Sequence, residues 1–331
     1  MPITPSKYTD KDDGIHLYKT PDYYEWWYND AHFDNGYSCV TVFHWMCGFN
    51  QPRIPVVTKE IYTPEGEKIS GARLCQPSDC TASASKCDVK MGDCWERQEG
   101  DSYRIYAPGK KTGMDLTFKR IVPPWKPLGI GRLYDNHDQV QGWLVPCPRA
   151  EVEGTITLRG KEIKVKGKGY HDHNWGNVSM HDSLGYWWWG RFHHPEYTLI
   201  YYYLYPTRKN EPNIPRLFLA KGDKVLMTPE NVQLKASEPK LDKETGQMIP
   251  RKLDITAKDG NSSVKLEVIT KSIFDTNTIP TMAPWPAYYW RFKADYKCTI
   301  KVGNKVDEIS GNTMSEYELL RPQAVAKLFK K

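Results

Sequence analysis

The run Gly169-Tyr170-His171-Asp172-His173-Asn174-Trp175-Gly176 sets two imidazoles, a carboxylate, an amide and an indole between glycines. Side chains alternate along an extended strand, so His171 and His173 share one face and Asp172 takes the other. Such a pair suits a metal chelate, but no third ligand follows at a characteristic spacing. The residue types fit proton transfer better: Asp172 is the first candidate for a donating acid, and His173 with Asn174 can orient a water and accept its proton. A second group, Tyr24-Glu25-Trp26-Trp27-Tyr28, sets a carboxylate among rings. On a strand Glu25 and Trp27 share a face, and loss of hydration there raises a carboxyl pKa and favours the neutral acid. Glu25 is therefore the second candidate donor, with a buried acceptor that ties strands together as the equal alternative. A third group, Tyr186-Trp187-Trp188-Trp189-Gly190-Arg191-Phe192, precedes Tyr201-Tyr202-Tyr203. Alternation sends Trp187 and Trp189 to one face and Trp188 to the other. Arg191 has the fork to hold a buried carboxylate such as Asp172 or Asp182, or to close a barrel by a salt bridge.

Short strands must position these groups. Phe33-Asp34-Asn35-Gly36, Pro64-Glu65-Gly66, Arg159-Gly160 and Lys221-Gly222-Asp223-Lys224 are turn signals between alternating or apolar runs, and they predict antiparallel hairpins. About twelve strands are expected, at roughly ten-residue spacing, with little helix. Val122–Pro127 and Pro280–Pro286 read as loops because their prolines cannot donate to a ladder. Ser237–Arg251, rich in Pro, Lys and Gly, reads as a long exposed loop or hairpin tip. At the C-terminus Leu319, Leu320, Val325, Leu328 and Phe329 alternate with Lys327, Lys330 and Lys331. That basic amphipathic pattern, taken with Ser315–Leu320, predicts a short helix packed on a barrel or touching an anionic membrane surface.

The chain has 331 residues, enough for two cores, and is 13% aromatic with 12 Trp and 21 Tyr, which suits a ring-lined cavity. A net charge of +6 without a long basic run argues against a nucleic-acid partner. Met1–Tyr18 lacks the apolar core of a signal peptide and no apolar stretch is long enough to span a bilayer, so a cytoplasmic protein, or one peripheral to a membrane, is expected. Eight cysteines then read as thiols rather than a disulfide framework. Cys75, Cys80, Cys87 and Cys94 are nested so as to pair Cys75 with Cys94 and Cys80 with Cys87 across a hairpin; they are a weak candidate for a structural metal beside the plainer reading as free thiols. Cys39, Cys47, Cys147 and Cys298 read as small core residues.

Glu25-Trp26-Trp27-Tyr28, Tyr170 to Gly176 and Trp187 to Arg191 together resemble the lipocalin-like family that includes the carotenoid 1,2-hydratases, with kievitone hydratase and certain Diels-Alder cyclases among its relatives. The resemblance covers roughly Pro21 to Tyr317. It implies an all-β protein with two consecutive lipocalin-like antiparallel β-barrel domains: an N-terminal segment 1–20, domains 21–178 and 179–318, and a tail 319–331, with a ligand site at the domain junction. It also implies a cofactor-independent hydratase acting on an isoprenoid carbon–carbon double bond of a carotenoid, a polyprenyl chain or an ether lipid. The resemblance places the middle motif and the strand after Arg191 at that site; with the residue readings above, the expected site is catalytic at Asp172, His173 and Glu25 and substrate-binding at Trp27, His171, Asn174, Trp175, Trp187, Trp189, Arg191 and Tyr202. In that chemistry an acid protonates the less substituted alkene carbon, rings such as Trp27, Trp175, Trp187 and Tyr202 stabilise the tertiary cation, and water captures it. The carotenoid hydratases carry a Tyr-x-Asp pair on the strand after the Trp-rich segment; here the stretch is Tyr201-Tyr202-Tyr203-Leu204-Tyr205, so the donor must lie elsewhere. The rival readings are a cyclase or isomerase of an apolar polyene and a lipid carrier.

Overall fold

The computed structural model describes residues 6–46, 54–136, 139–207, 212–281 and 283–322. Cys47 and the tail beyond Pro322 lie outside the described residues. Two compact units divide the chain, Met1–Ser179 and Met180–Lys331. Both are built from antiparallel strands, and helix among the described residues is confined to short turns such as Met180–Ser183. No helix among them is long and apolar enough to cross a membrane.

The first unit is a 12-stranded sheet whose centre is the hairpin Gln139–Leu158 and Lys161–Gly176. Its turn is Arg159-Gly160, with φ of 51° and 81°; both residues are left-handed, as a two-residue turn matching the strand twist requires. Strand Lys161–Gly176 also pairs with Tyr24–Phe33, and the register sets Glu25 opposite Trp175, Trp27 opposite His173 and Asn29 opposite His171. Two motifs far apart in sequence are thereby cross-strand neighbours. Inward-facing Phe43, Val57, Ile105, Leu116, Phe118 and Val152 form the apolar part of the core.

The second unit is a 9-stranded sheet in which Leu184–His193 lies between Tyr197–Pro206 and Lys305–Leu319. Its core is aromatic: Trp188 stacks on Tyr317 at 4.2 Å, and Tyr317 lies 5.5 Å from Trp290. Such ring pairs add about 0.5–1.5 kcal/mol each beyond area burial.

Strands number more than the turn signals suggest, since the described residues form twenty-one. Ser237–Arg251 is a hairpin tip, the second of its two readings: strands Asn231–Leu241 and Met248–Asp259 extend through it, pairing Ser237 with Lys252 and Leu241 with Met248. One expectation is corrected. Ser315–Leu319 is not helical but the end of a long strand, with Ser315, Tyr317 and Leu319 buried in the core side. Its period of two, polar and aromatic by turns, fits a strand between two neighbours better than a helical face.

Candidate functional site

In the first unit the inward side of Lys161–Gly176 carries His171, His173 and Trp175, as alternation requires. What closes over them is the N-terminal segment, whose 3-10 turn Asp10–Asp13 delivers a fully buried Asp13. Asp13 Oδ2 lies 3.3 Å from His171 Nε2 and accepts a hydrogen bond from the Tyr103 hydroxyl at 3.2 Å; Asp13 Oδ1 lies 3.1 Å from His173 Nδ1. The other nitrogen of His171 is 3.3 Å from Glu96 Oε1 and 3.0 Å from the Tyr28 carbonyl oxygen. Asn29 Nδ2 donates to Glu96 Oε2 at 2.8 Å. His173 Nε2 is 2.8 Å from Glu25 Oε1, which also receives the His16 backbone N–H at 2.9 Å and faces His16 Nδ1 at 3.1 Å. The Tyr23 hydroxyl donates to Glu25 Oε2.

Charge follows from these partners. Burial opposes a charged His171, but Glu96 and Asp13 outweigh it and push the imidazole up to about 9. Burial also opposes a charged Asp13, yet His171 and His173 hold its carboxyl down at about 2. His173 is raised despite burial by its bonds to Asp13 and Glu25. The expectation for Glu25 is reversed: burial favours the neutral acid, but the hydrogen bonds from His16 and His173 prevail and lower its pKa. Glu25 is thus an anion that ties strands and the N-terminal segment together, which is the second of its two sequence readings.

The rings assigned to this region are engaged with imidazoles. Trp27 stacks on His173 at 4.4 Å and donates its indole N–H to the Asp13 carbonyl at 3.2 Å. Trp175 stacks on His16 at 3.8 Å with planes 1° apart. Asp172 and Asn174 lie on the opposite side of the strand. There Asp172 Oδ2 accepts from Tyr170 Oη at 2.8 Å and Trp143 Nε1 at 3.1 Å, and Oδ1 accepts from Asn174 Nδ2 at 2.8 Å.

Among the described residues two sets bring three ligand atoms within 4.8 Å of one another: His16, Glu25 and His173, and Asp13, Cys87 and His171. In the first, Glu25 Oε1 is already bonded to both imidazoles, and burial lowers the His16 pKa so that its bond is to a neutral ring; in the second, burial pushes the Cys87 thiol well up, against the thiolate a metal needs. In the cysteine cluster Cys80 lies opposite Met91 rather than Cys87, Met91 in turn lies opposite Cys94, and all four are free thiols. Among the described residues they bring no three ligand atoms together, and burial pushes Cys80 up to about 11 and Cys94 up to about 12. Cys39, Cys147 and Cys298 are buried in their cores.

The second unit gathers the remaining predicted residues on the sheet face opposite its aromatic core. Register aligns Trp187 with Leu204, Trp189 with Tyr202 and Arg191 with Ile200. On the other flank Trp187 faces Glu318 and Trp189 faces Glu316, and the next strand adds Tyr289 and Arg291 in line with them. Arg191, Ile200, Tyr202, Leu204, Arg291, Glu316 and Glu318 are all buried, and Trp187 is half-buried. Arg291 binds Glu316 through Nε at 2.8 Å and Nη2 at 2.7 Å. Arg191 lies 6.0 Å from the Trp189 ring.

Asp13, His16, Tyr23, Glu96 and Tyr103 in the first unit, and Arg291, Glu316 and Glu318 in the second, are functional candidates that the sequence did not single out. Asp13 stands in the charged run Asp10-Lys11-Asp12-Asp13 and Glu96 in the polar strand Cys94–Glu99, so neither is marked as inward. For Glu316 and Glu318 a signal existed: Ser315-Glu316-Tyr317-Glu318-Leu319 has strand period.

Two antiparallel units, one built around buried ion pairs and the other presenting a buried aromatic and charged face, define a class of all-β protein. The chain belongs to the AttH-like family, whose pattern matches residues 66–303. It is 26% identical over 239 residues to a hydroxyneurosporene dehydrogenase of Chlorobaculum tepidum, a match that covers 57% of this chain and 59% of that relative's length. Its fold is similar to an AttH protein from Nitrosomonas europaea, with a TM-score of 0.67 at 16% identity over 96% of this chain and 98% of the other. It is also similar to kievitone hydratase from Nectria haematococca, with a TM-score of 0.61 at 15% identity over 97% and 99%.

Proposed function

We propose that the protein is an enzyme that adds water, without a cofactor, to an isolated double bond of an isoprenoid chain. The observation that carries this reading is the buried face of the second unit, where Trp187, Trp189 and Tyr202 alternate with Ile200 and Leu204 beside Arg191, Glu316 and Glu318. An apolar chain fits the rings and aliphatic groups, and few polar groups remain to direct chemistry. Rings facing a tertiary carbocation stabilise it by about 0.5–2 kcal/mol each when water is excluded. Trp187, Trp189 and Tyr202 take that part, because they stand together on this face of the second unit, whereas Trp27 and Trp175 belong to the imidazole cluster of the first. The names of the Chlorobaculum relative and of kievitone hydratase support an isoprenoid or hydration chemistry in this family.

In this reading the polar constellation of the first unit is structural. His171, His173, Asp13 and Glu25 fix the N-terminal segment over the first core and hold no proton that an alkene could take without breaking a buried ion pair. Asp172 serves as an acceptor for Trp143, Tyr170 and Asn174.

The test is incubation with acyclic isoprenoids bearing a terminal trisubstituted double bond, in water enriched in oxygen-18. The expected product gains one labelled water. An isomer of unchanged mass would indicate cyclisation instead, loss of two hydrogens would indicate dehydrogenation, and an unchanged lipid recovered bound would indicate a carrier; each of these contradicts the hydratase reading.

A further inference from the structure

We propose that Glu318 is the acid that protonates the alkene, an assignment that rests on the hydratase reading above. Its place follows from the alternation in Lys305–Leu319. Tyr317 turns into the aromatic core, where it stacks on Trp188, while Glu316 and Glu318 turn to the opposite face. Glu318 sits between Trp187 on one neighbouring strand and Tyr289 on the other.

The two carboxyl groups of this face differ in their partners. Glu316 has the Arg291 guanidinium, through Nε and Nη2. Glu318 is 4% exposed, and its Oε1 is fully buried with no hydrogen-bond partner among the described residues. A buried carboxylate with neither cation nor donor is costly, so the group keeps its proton. Burial first, and the nearby Glu316 charge second, raise its pKa well above the ordinary value. The charged and titratable groups sharing the face are Glu316, Arg291, Asp275, Arg191, Tyr202 and Tyr289; Arg291 binds Glu316, Asp275 lies opposite Arg291 one strand further away, and register sets Arg191 opposite Met314 rather than Glu318. An unpartnered acid oxygen beside an indole is what alkene protonation requires: a proton held where water is excluded, next to a ring able to face the cation.

The step balances. The Glu318 O–H bond breaks as a carbon–hydrogen bond forms at the less substituted alkene carbon, leaving a carboxylate and a tertiary cation. Water adds to the cation and loses a proton, which returns to Glu318; alkene and water give one tertiary alcohol. The strand Tyr197–Pro206 that follows the Trp-rich segment holds no carboxylate; the acid comes from the strand on the other side of Leu184–His193.

The experiment combines infrared spectroscopy with turnover. The wild-type protein at neutral pH should show a protonated-carboxyl C=O band that shifts in heavy water and is missing in Glu318→Gln. That comparison needs no substrate. With an isoprenoid alkene that the wild type hydrates, Glu318→Gln should lose about 10²- to 10⁴-fold in kcat, the usual contribution of a general acid, with ligand affinity by tryptophan quenching changed little. Glu318→Asp should recover part of the rate. Burial also raises the Glu96 carboxyl of the first unit, so the reading is the difference between wild type and Glu318→Gln: absence of a protonated-carboxyl band from that difference overturns the assignment whether or not any substrate is found. So does a Gln variant that turns over normally, and in that case hydration itself still stands. If the band behaves as expected but no alkene is hydrated, the hydratase reading fails while Glu318 remains the neutral acid of this face.

Discussion

Asp13 is the residue on which the first unit's buried charges converge, since both His171 and His173 reach its carboxylate. Removing one member of a buried ion-pair set leaves the others charged and unpaired, at a cost of about 3–5 kcal/mol. Asp13→Ala should lower stability by that amount in urea unfolding, and a loss below about 1 kcal/mol would show that the network is not needed. The pH dependence has a definite sign. His171 is raised from 6.5 to about 9, so its contribution is complete below pH 6.5 and is lost as pH rises through 9. Asp13 is lowered from 3.8 to about 2, so its contribution is complete above pH 3.8 and is lost as pH falls through 2. Urea midpoints measured across pH should therefore form a plateau between these limits, falling on both sides. Stability that climbs between pH 7 and 9 would contradict the pairing of a charged His171. Chemistry in the sequence was legible as residue type but not as charge state. Glu25 among four rings looks like a neutral acid, and only the approach of His16 and His173 from elsewhere in the chain makes it an anion.

Strand alternation carried most of what the sequence did disclose. It placed His171 and His173 together, Asp172 apart from them, and Trp188 on the side opposite Trp187 and Trp189, because a period of two leaves no choice once a segment is extended. It could not say which strands adjoin, so the pairing of Tyr24–Phe33 with Lys161–Gly176 was invisible, and with it the contact of Trp27 with His173. Ser315–Leu319 misled because apolar residues near a basic tail imitate a helical face over so short a window. Close approach between elements is also unreadable from sequence, as at Gly142 on the strand beside Lys161–Gly176. A Cβ there would meet the Trp175 ring at 2.0 Å, and that ring supports His16. Gly142→Ala should destabilise by about 1–3 kcal/mol through overpacking and alter the near-ultraviolet dichroism of the indoles. Unchanged dichroism and an unchanged urea midpoint would show that Trp175 can give way.

At the scale of the molecule the chain separates a unit whose interior is bound by charge from one whose core is bound by rings. The N-terminal segment is part of the first unit's interior rather than an appendage, because it supplies Asp13 and His16. Deleting residues 1–16 should lower amide-exchange protection along Tyr24–Phe33 and Lys161–Gly176; unaltered protection there would show that the segment is dispensable. Turnover in heavy water shows whether catalysis begins with a proton delivered to an alkene carbon. One carbon-bound deuterium is expected on the carbon beside the new tertiary alcohol. A hydrated product with no deuterium on carbon would contradict that first step.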